Sequence, residues 1–255
     1  MKIALTGKGG VGKSTISGLI ARILKDMGNR VVAIDADPDM NLASILGIPE
    51  TVEITPIIEL KELIAERTGT KVGEPAPFFK MNPKVDDIPD QFSVDHEGIR
   101  LLTMGTTTRG GGGCACPENA FLKTLLSHLV LARDEAIVLD MEAGIEHLGR
   151  GTALGVEWMI VVVEPSVMSL DTAKRIRKLS GDIGIKHLSI VGNKIRDDVD
   201  RDFIESHAGG IDIAGFIDHS DDIRKINLGE LSALSITGRV VDQVKEIITK
   251  DLQKE

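Results

Sequence analysis

The sequence has no long apolar stretch. No run approaches the roughly 18 consecutive residues a membrane-spanning helix needs, so no spanning segment is expected. Cysteine is nearly absent: two residues among 255 cannot build a disulfide framework. Positive charge is in deficit. Lys and Arg total 30 against 39 for Asp and Glu, a formal net charge of −9, so nucleic acid would not be held by bulk attraction and would need a local basic patch. Met1-Lys2 leads straight into a short strand pattern and then glycines, so no secretory leader and a cytoplasmic location are expected. There is no internal repeat and no mid-chain linker rich in Pro, Gly and Ser. One domain over residues 1–255 is therefore expected. What remains is ordinary globular composition, 42% hydrophobic and 27% charged, on a chain long enough to bury a sizeable core without staples.

Short apolar runs at Ile3–Leu5, Val31–Ile34, Ile99–Met104, Ile137–Leu139, Met159–Val163, Leu188–Val191 and Ile211–Phe216 have the character of buried strands. Helical spacing separates most of them: Ile16, Leu19, Ile20, Ile23 and Leu24; Phe121, Leu122, Leu125, Leu126 and Leu129; Leu170, Ala173, Ile176 and Leu179. Alternation of strand and helix implies right-handed crossovers and an α/β fold, a doubly wound, mostly parallel sheet flanked by helices. Residues 51–98 break the rhythm. Glu59–Arg67 fits a short helix, and an irregular insertion is expected near 68–98, where Pro75, Pro77, Pro83 and Pro89 fall.

Between the first strand and the first helix runs Gly7-Lys8-Gly9-Gly10-Val11-Gly12-Lys13-Ser14, which fits G-x-x-x-x-G-K-[ST]. Glycines let successive backbone N–H groups turn towards phosphate oxygens, and the helix N-terminus adds partial positive charge. Backbone from Gly9 through Gly10, Val11 and Gly12 to Lys13, Ser14 and Thr15 is the expected nucleotide cradle, with Lys13 on the β/γ-phosphates and Ser14 on Mg²⁺. A second strand ends in Asp140-Met141-Glu142-Ala143-Gly144. An apolar strand ending in Asp is the Walker B pattern, which makes Asp140 the expected Mg²⁺ carboxylate. A third ends in Asp35-Ala36-Asp37-Pro38-Asp39, carboxylates placed where α/β proteins bind ligands.

Both cysteines lie in one loop, 109–117, after four glycines: Cys114-Ala115-Cys116-Pro117. One residue apart, they would close only a strained ring with each other. They can instead face one metal ion. Two thiolates fall short of the usual four ligands, and a symmetric dimer would supply four. Zn²⁺, Ni²⁺, Cu(I) or an Fe–S cluster would suit such sulfur ligands.

The loop with its early lysine resembles the deviant Walker A motif of the family that includes nitrogenase iron proteins, MinD, ParA and arsenic-pump ATPases, P-loop NTPases of the SIMIBI type. Together with Cys-Ala-Cys-Pro-Glu-Asn, Asp-Met-Glu-Ala-Gly-Ile-Glu-His and Glu164-Pro165-Ser166, it is similar to the CooC-type ATPases that assist nickel insertion into carbon monoxide dehydrogenase. The resemblance implies an Mg²⁺-dependent hydrolysis of ATP to ADP in a nucleotide-promoted homodimer. It further implies Lys8 reaching the partner's nucleotide, Asp37 positioning the attacking water and Asn41 near Mg²⁺. Gly144 would sense the γ-phosphate, and Asn193, paired with Lys194, would meet adenine. Cys114 and Cys116 would bind Ni²⁺ or Zn²⁺ at the dimer interface, with apo carbon monoxide dehydrogenase, or acetyl-CoA synthase as the alternative client. Two departures are visible: Glu142, where a small residue would be less obtrusive beside the switch, and Ile217-Asp218, where relatives often have Ile-Pro.

Two other readings compete. An iron-protein-like redox role needs a second cysteine just after Asp140, where this chain has Ala143. A MinD- or ParA-like positioning role needs a membrane or DNA surface. The amphipathic stretch 240–255 mixes Lys245, Lys250 and Lys254 with Asp242, Glu246, Asp251 and Glu255, which fits packing on the sheet better than a membrane. The one dense basic patch, Lys174, Arg175, Arg177 and Lys178, fits a solvated helix face. Neither nucleic acid nor stable membrane association is expected.

Overall fold

The computed structural model describes residues 1–74, 76–105, 116–143, 150–153 and 155–252. Arg109 to Cys114 in the glycine-cysteine loop, and Gly144, Glu146 and His147 after the Walker B strand, lie outside the described residues.

Eight strands form one sheet: β1 Lys2–Thr6, β2 Val31–Ala36, β3 Val94–His96, β4 Ile99–Thr103, β5 Ala136–Met141, β6 Trp158–Val163, β7 Leu188–Ile195 and β8 Asp212–Asp218. Their order is β3-β4-β2-β5-β1-β6-β7-β8. All pairings are parallel except β3 with β4. The central strands are buried throughout, because helices cover both faces. Side chains still alternate: Ile3 and Leu5 enter one core, and Ala4 enters the other.

The first core is roofed by α1 Lys13–Asp26, α2 Leu42–Leu46, α9 Asp221–Asn227 and α10 Arg239–Leu252. The opposite core is roofed by α3 Lys61–Thr68, α4 Ile88–Phe92, α5 Pro117–Ala132, α6 Arg150–Ala153, α7 Val167–Ile183 and α8 Asp198–His207. Val240, Val244, Ile247 and Ile248 of α10 are buried against the first core, so the apolar face of the C-terminal helix is covered by the sheet side. No helix among the described residues is long and apolar enough to cross a membrane.

A 3-10 turn at Ile57–Glu59 precedes α3. Within residues 68–98, expected as irregular, α4 begins with Pro89 in its first turn, where a missing N–H costs nothing. The unexpected strand β3 pairs antiparallel with β4 through a two-residue turn. Glu97 (φ 49°) and Gly98 (φ 81°) are both left-handed there, the backbone of a type I′ hairpin.

Candidate nucleotide site

The phosphate loop leaves β1 at Thr6 and enters α1 at Lys13. Gly12 precedes the helix at φ 96°, a left-handed conformation that L side chains rarely adopt. A Cβ there would also run into the Asn193 amide nitrogen. No side chain caps α1, and its first turn holds no acidic residue. Its N-terminal N–H groups are thus left to an anion.

Two strands, β2 with the loop after it and β5, bring three carboxylates to this end of the sheet. Asp35 and Asp140 are register partners at the ends of β2 and β5. Asp140 is fully buried. Its Oδ1 accepts from Ser17 Oγ at 3.1 Å, while Oδ2 has no partner. Burial pushes its pKa up to about 6, against the opposing pull of the Ser14 hydroxyl, Lys13 and Ser17, with Asp37 adding to the rise. Burial likewise raises Asp35 to about 7, opposed by backbone hydrogen bonds and helped by its acidic neighbours Asp140 and Asp37. Asp35 ties down the following loop: Oδ2 accepts from Leu42 N–H at 2.9 Å and Oδ1 from Asp37 N–H at 3.3 Å. Asp37 in turn accepts from Asp39 N–H at 3.1 Å, and its Oδ2 lies 3.2 Å from Lys13 Nζ.

Lys13 and Asp37 border a cleft of about 550 Å³, within the usual range for small-molecule sites, while Asp35 and Asp140 lie outside its lining. Of the residues singled out in the sequence, Gly9, Gly10, Gly12, Lys13, Ser14, Thr15, Asp37 and Asn41 line it. Ser44, Glu142, Ile226 and Asn227 line it as well, without having been singled out as ligand groups. Thr15 Oγ1 donates to Asn227 Oδ1 at 3.3 Å, which joins the end of α9 to the phosphate loop. Ser17 also escaped the sequence reading. Its signal was a hydroxyl three residues after Ser14, on the same face of α1.

Lys8 is not among the residues lining this cleft; its Nζ lies 3.8 Å from Met168 Sδ at the start of α7. Asn193 is buried beneath the loop and donates to Val11 O at 2.8 Å, with its own Oδ1 unpartnered. Lys194 donates to Gly10 O at 2.7 Å. Cys116, half-buried, precedes α5 as its N-cap residue, and burial pushes its thiol pKa up. Among the described residues no group of three His, Cys, Asp or Glu side chains stands ready to hold a metal ion.

A family model described as the CobQ/CobB/MinD/ParA nucleotide binding domain matches residues 2–232. The carbon monoxide dehydrogenase accessory protein CooC of Rhodospirillum rubrum is 46% identical over all of this chain and 97% of its own length. The chain belongs to the CooC-type ATPases of the MinD/ParA family. An uncharacterized ATP-binding protein of Methanocaldococcus jannaschii is 45% identical over 88% of each chain. The MinC:MinD cell division complex of Aquifex aeolicus has the same fold, with a TM-score of 0.70, 20% identity, and coverage of 100% of this chain and 96% of that one. Mixed α/β topology, phosphate loop and strand-end carboxylates thus accompany membership of a P-loop ATPase family.

Proposed function

We propose that this protein is an ATP-dependent maturation factor that assists nickel insertion into carbon monoxide dehydrogenase. The full-length similarity to CooC carries this reading. The cleft supplies the ATPase half. Uncapped helix N–H groups and Lys13 hold the phosphates, and Asp37 orients the attacking water. The unpartnered Asp140 Oδ2 and the nearby Ser14 hydroxyl are hard oxygen donors that fit Mg²⁺. Bound there, the ion would neutralise charge on the phosphate oxygens.

Lys13 is already paired with Asp37. An arriving γ-phosphate would draw the ammonium away and leave the carboxylate free to accept a hydrogen bond from water. Lys8, outside its own cleft, is available to a partner's nucleotide in a homodimer. Cys114 and Cys116 from two such chains would hold one Ni²⁺ or Zn²⁺ between them. Closing the dimer on ATP would then change the sulfur geometry, and hydrolysis would release it.

The test is metal analysis and sizing of anaerobically prepared protein, with and without ATP. One metal per dimer is expected, lost in C114S with ATP hydrolysis retained. Undiminished metal in C114S, or a monomer under all nucleotide and metal conditions, would defeat the proposal.

A further inference from the structure

Asn193 and Lys194 are consecutive residues near the end of β7, and they take consecutive carbonyls of the phosphate loop. Asn193 Nδ2 reaches Val11 O at 2.8 Å, and Lys194 Nζ reaches Gly10 O at 2.7 Å. Lys194 Nζ also lies 2.9 Å from Glu164 Oε2, just past the end of β6. Lys194 adopts φ 62°, one of three left-handed non-glycine residues among those described. Such backbone persists where surrounding contacts over-determine it.

We propose that Lys194, held by Glu164, is a positioning residue that clasps the phosphate loop in its anion-binding form. The inference rests on the ATP-binding reading and adds a role for this pair beyond contact with the base. A trans peptide points its C=O and N–H in opposite directions. Drawing the Gly10 and Val11 carbonyls outward therefore turns the N–H groups of Val11 and Gly12 the opposite way from the clasp. The loop needs such a hold. Gly10 has φ 81°, and nothing lies within 4 Å of where a Cβ would be at Gly9 or Gly10. Glycine here lowers the steric barrier to a peptide flip, which within the loop is opposed only by the Val11 N–H bond to Lys8 O at 3.4 Å, and a flipped carbonyl would present negative partial charge to the phosphates. Glu164 completes the device by fixing the lysine head between loop and β6. Asn193, 1% exposed, does the same from beneath.

The clasp and a base-reading role differ in what they discriminate. A clasp acts on phosphates whatever base they carry, whereas a base contact separates ATP from ITP. Titration of wild type, K194M, K194R and E164Q with ATP and with ITP tests this. The expected result is that K194M weakens both nucleotides by the same factor, about tenfold for a lost charge-assisted hydrogen bond. K194R should recover most of the loss, and E164Q should weaken both equally by a smaller factor. Unaltered affinity in folded K194M and E164Q, or a loss confined to ATP, would overturn the clasp. Both lysine and glutamate side chains are partly exposed, at 41% and 30%; should K194M not fold, E164Q carries the same comparison. If wild type bound neither nucleotide, the ATPase reading would fall and the clasp with it. Wild-type binding with unchanged variants would sink the clasp alone.

Discussion

Lys13 and Asp37 meet in the lining of the cleft, Nζ to Oδ2 at 3.2 Å, with both side chains about nine-tenths buried. Neither charge is well solvated, so each depends on the other until an anion arrives. D37N should keep ATP binding, because Lys13 loses a competitor for the phosphates. It should lose hydrolysis by about 100-fold or more, the usual share of a group handling the nucleophile's proton. Single-turnover hydrolysis beside equilibrium ATP binding checks the split; parallel loss of both would assign Asp37 to loop structure alone.

Ser17 supplies the hydrogen bond to Asp140 Oδ1 and leaves Oδ2 free. In S17A the buried carboxylate loses a donor, costing about 1 kcal/mol of stability. The carboxylate also loses its orientation, so the Mg²⁺ concentration for half-maximal hydrolysis should rise several-fold. A magnesium titration at saturating ATP reads this, and an unchanged midpoint would show that Ser14 and Lys13 suffice.

The central strands were legible because parallel strands covered on both faces are written as continuous apolar runs, as in Ile137–Leu139 and Met159–Val163. β3 was not, since Val94-Asp95-His96 is a short edge strand with one apolar residue and a half-exposed pattern. The phosphate loop, Asp37 and Asp140 stand out in the sequence because a local motif carries the chemistry expected of them. Asp35 fixes both Asp37 and Leu42, a role set by how the chain returns after β2 and not by any local motif. The contacts of Asn193 and Lys194 to Val11 and Gly10 cross 182 and 184 residues of sequence. Asn227 joins Thr15 across 212, and no local pattern announces such a meeting.

Glu135 offers a pH-dependent test of the opposite end of the sheet. Its carboxylate accepts from Arg133 at 2.7 Å and from Arg100 at 2.5 Å, and Asp90 pairs with both arginines. The Arg133 hydrogen bond leads in lowering the Glu135 pKa from its ordinary 4.5 to about 2, against the burial that would raise it. A depressed folded-state pKa adds stability that is complete above the unfolded value and fades as pH falls through the folded one. Wild type should therefore exceed E135Q in stability at pH 7, with the gap closing between pH 4.5 and 2. Denaturant unfolding of both proteins across that window checks it, and a gap independent of pH would remove the ion pair as its cause.

Gly12 answers two demands that an L side chain cannot meet. Its φ of 96° disfavours any L side chain, and a Cβ would meet the Asn193 amide nitrogen under the loop. The backbone cost in G12A is about 1–2 kcal/mol. The steric conflict is relieved only if Asn193 withdraws, which breaks its bond to Val11 O and leaves a buried amide without that partner. G12A should therefore unfold at lower denaturant and lose ATP affinity more steeply than its stability loss alone implies. The loop is deformed even in molecules that remain folded. Replacing Gly28, which also has a positive φ of 89° but open space around its Cβ position, supplies the control. G28A carries a comparable backbone strain far from the cleft, so it should lower stability and leave the ATP dissociation constant unchanged. Equal effects of the two variants on ATP binding would show that strain, rather than the contact between Gly12 and Asn193, governs the loop.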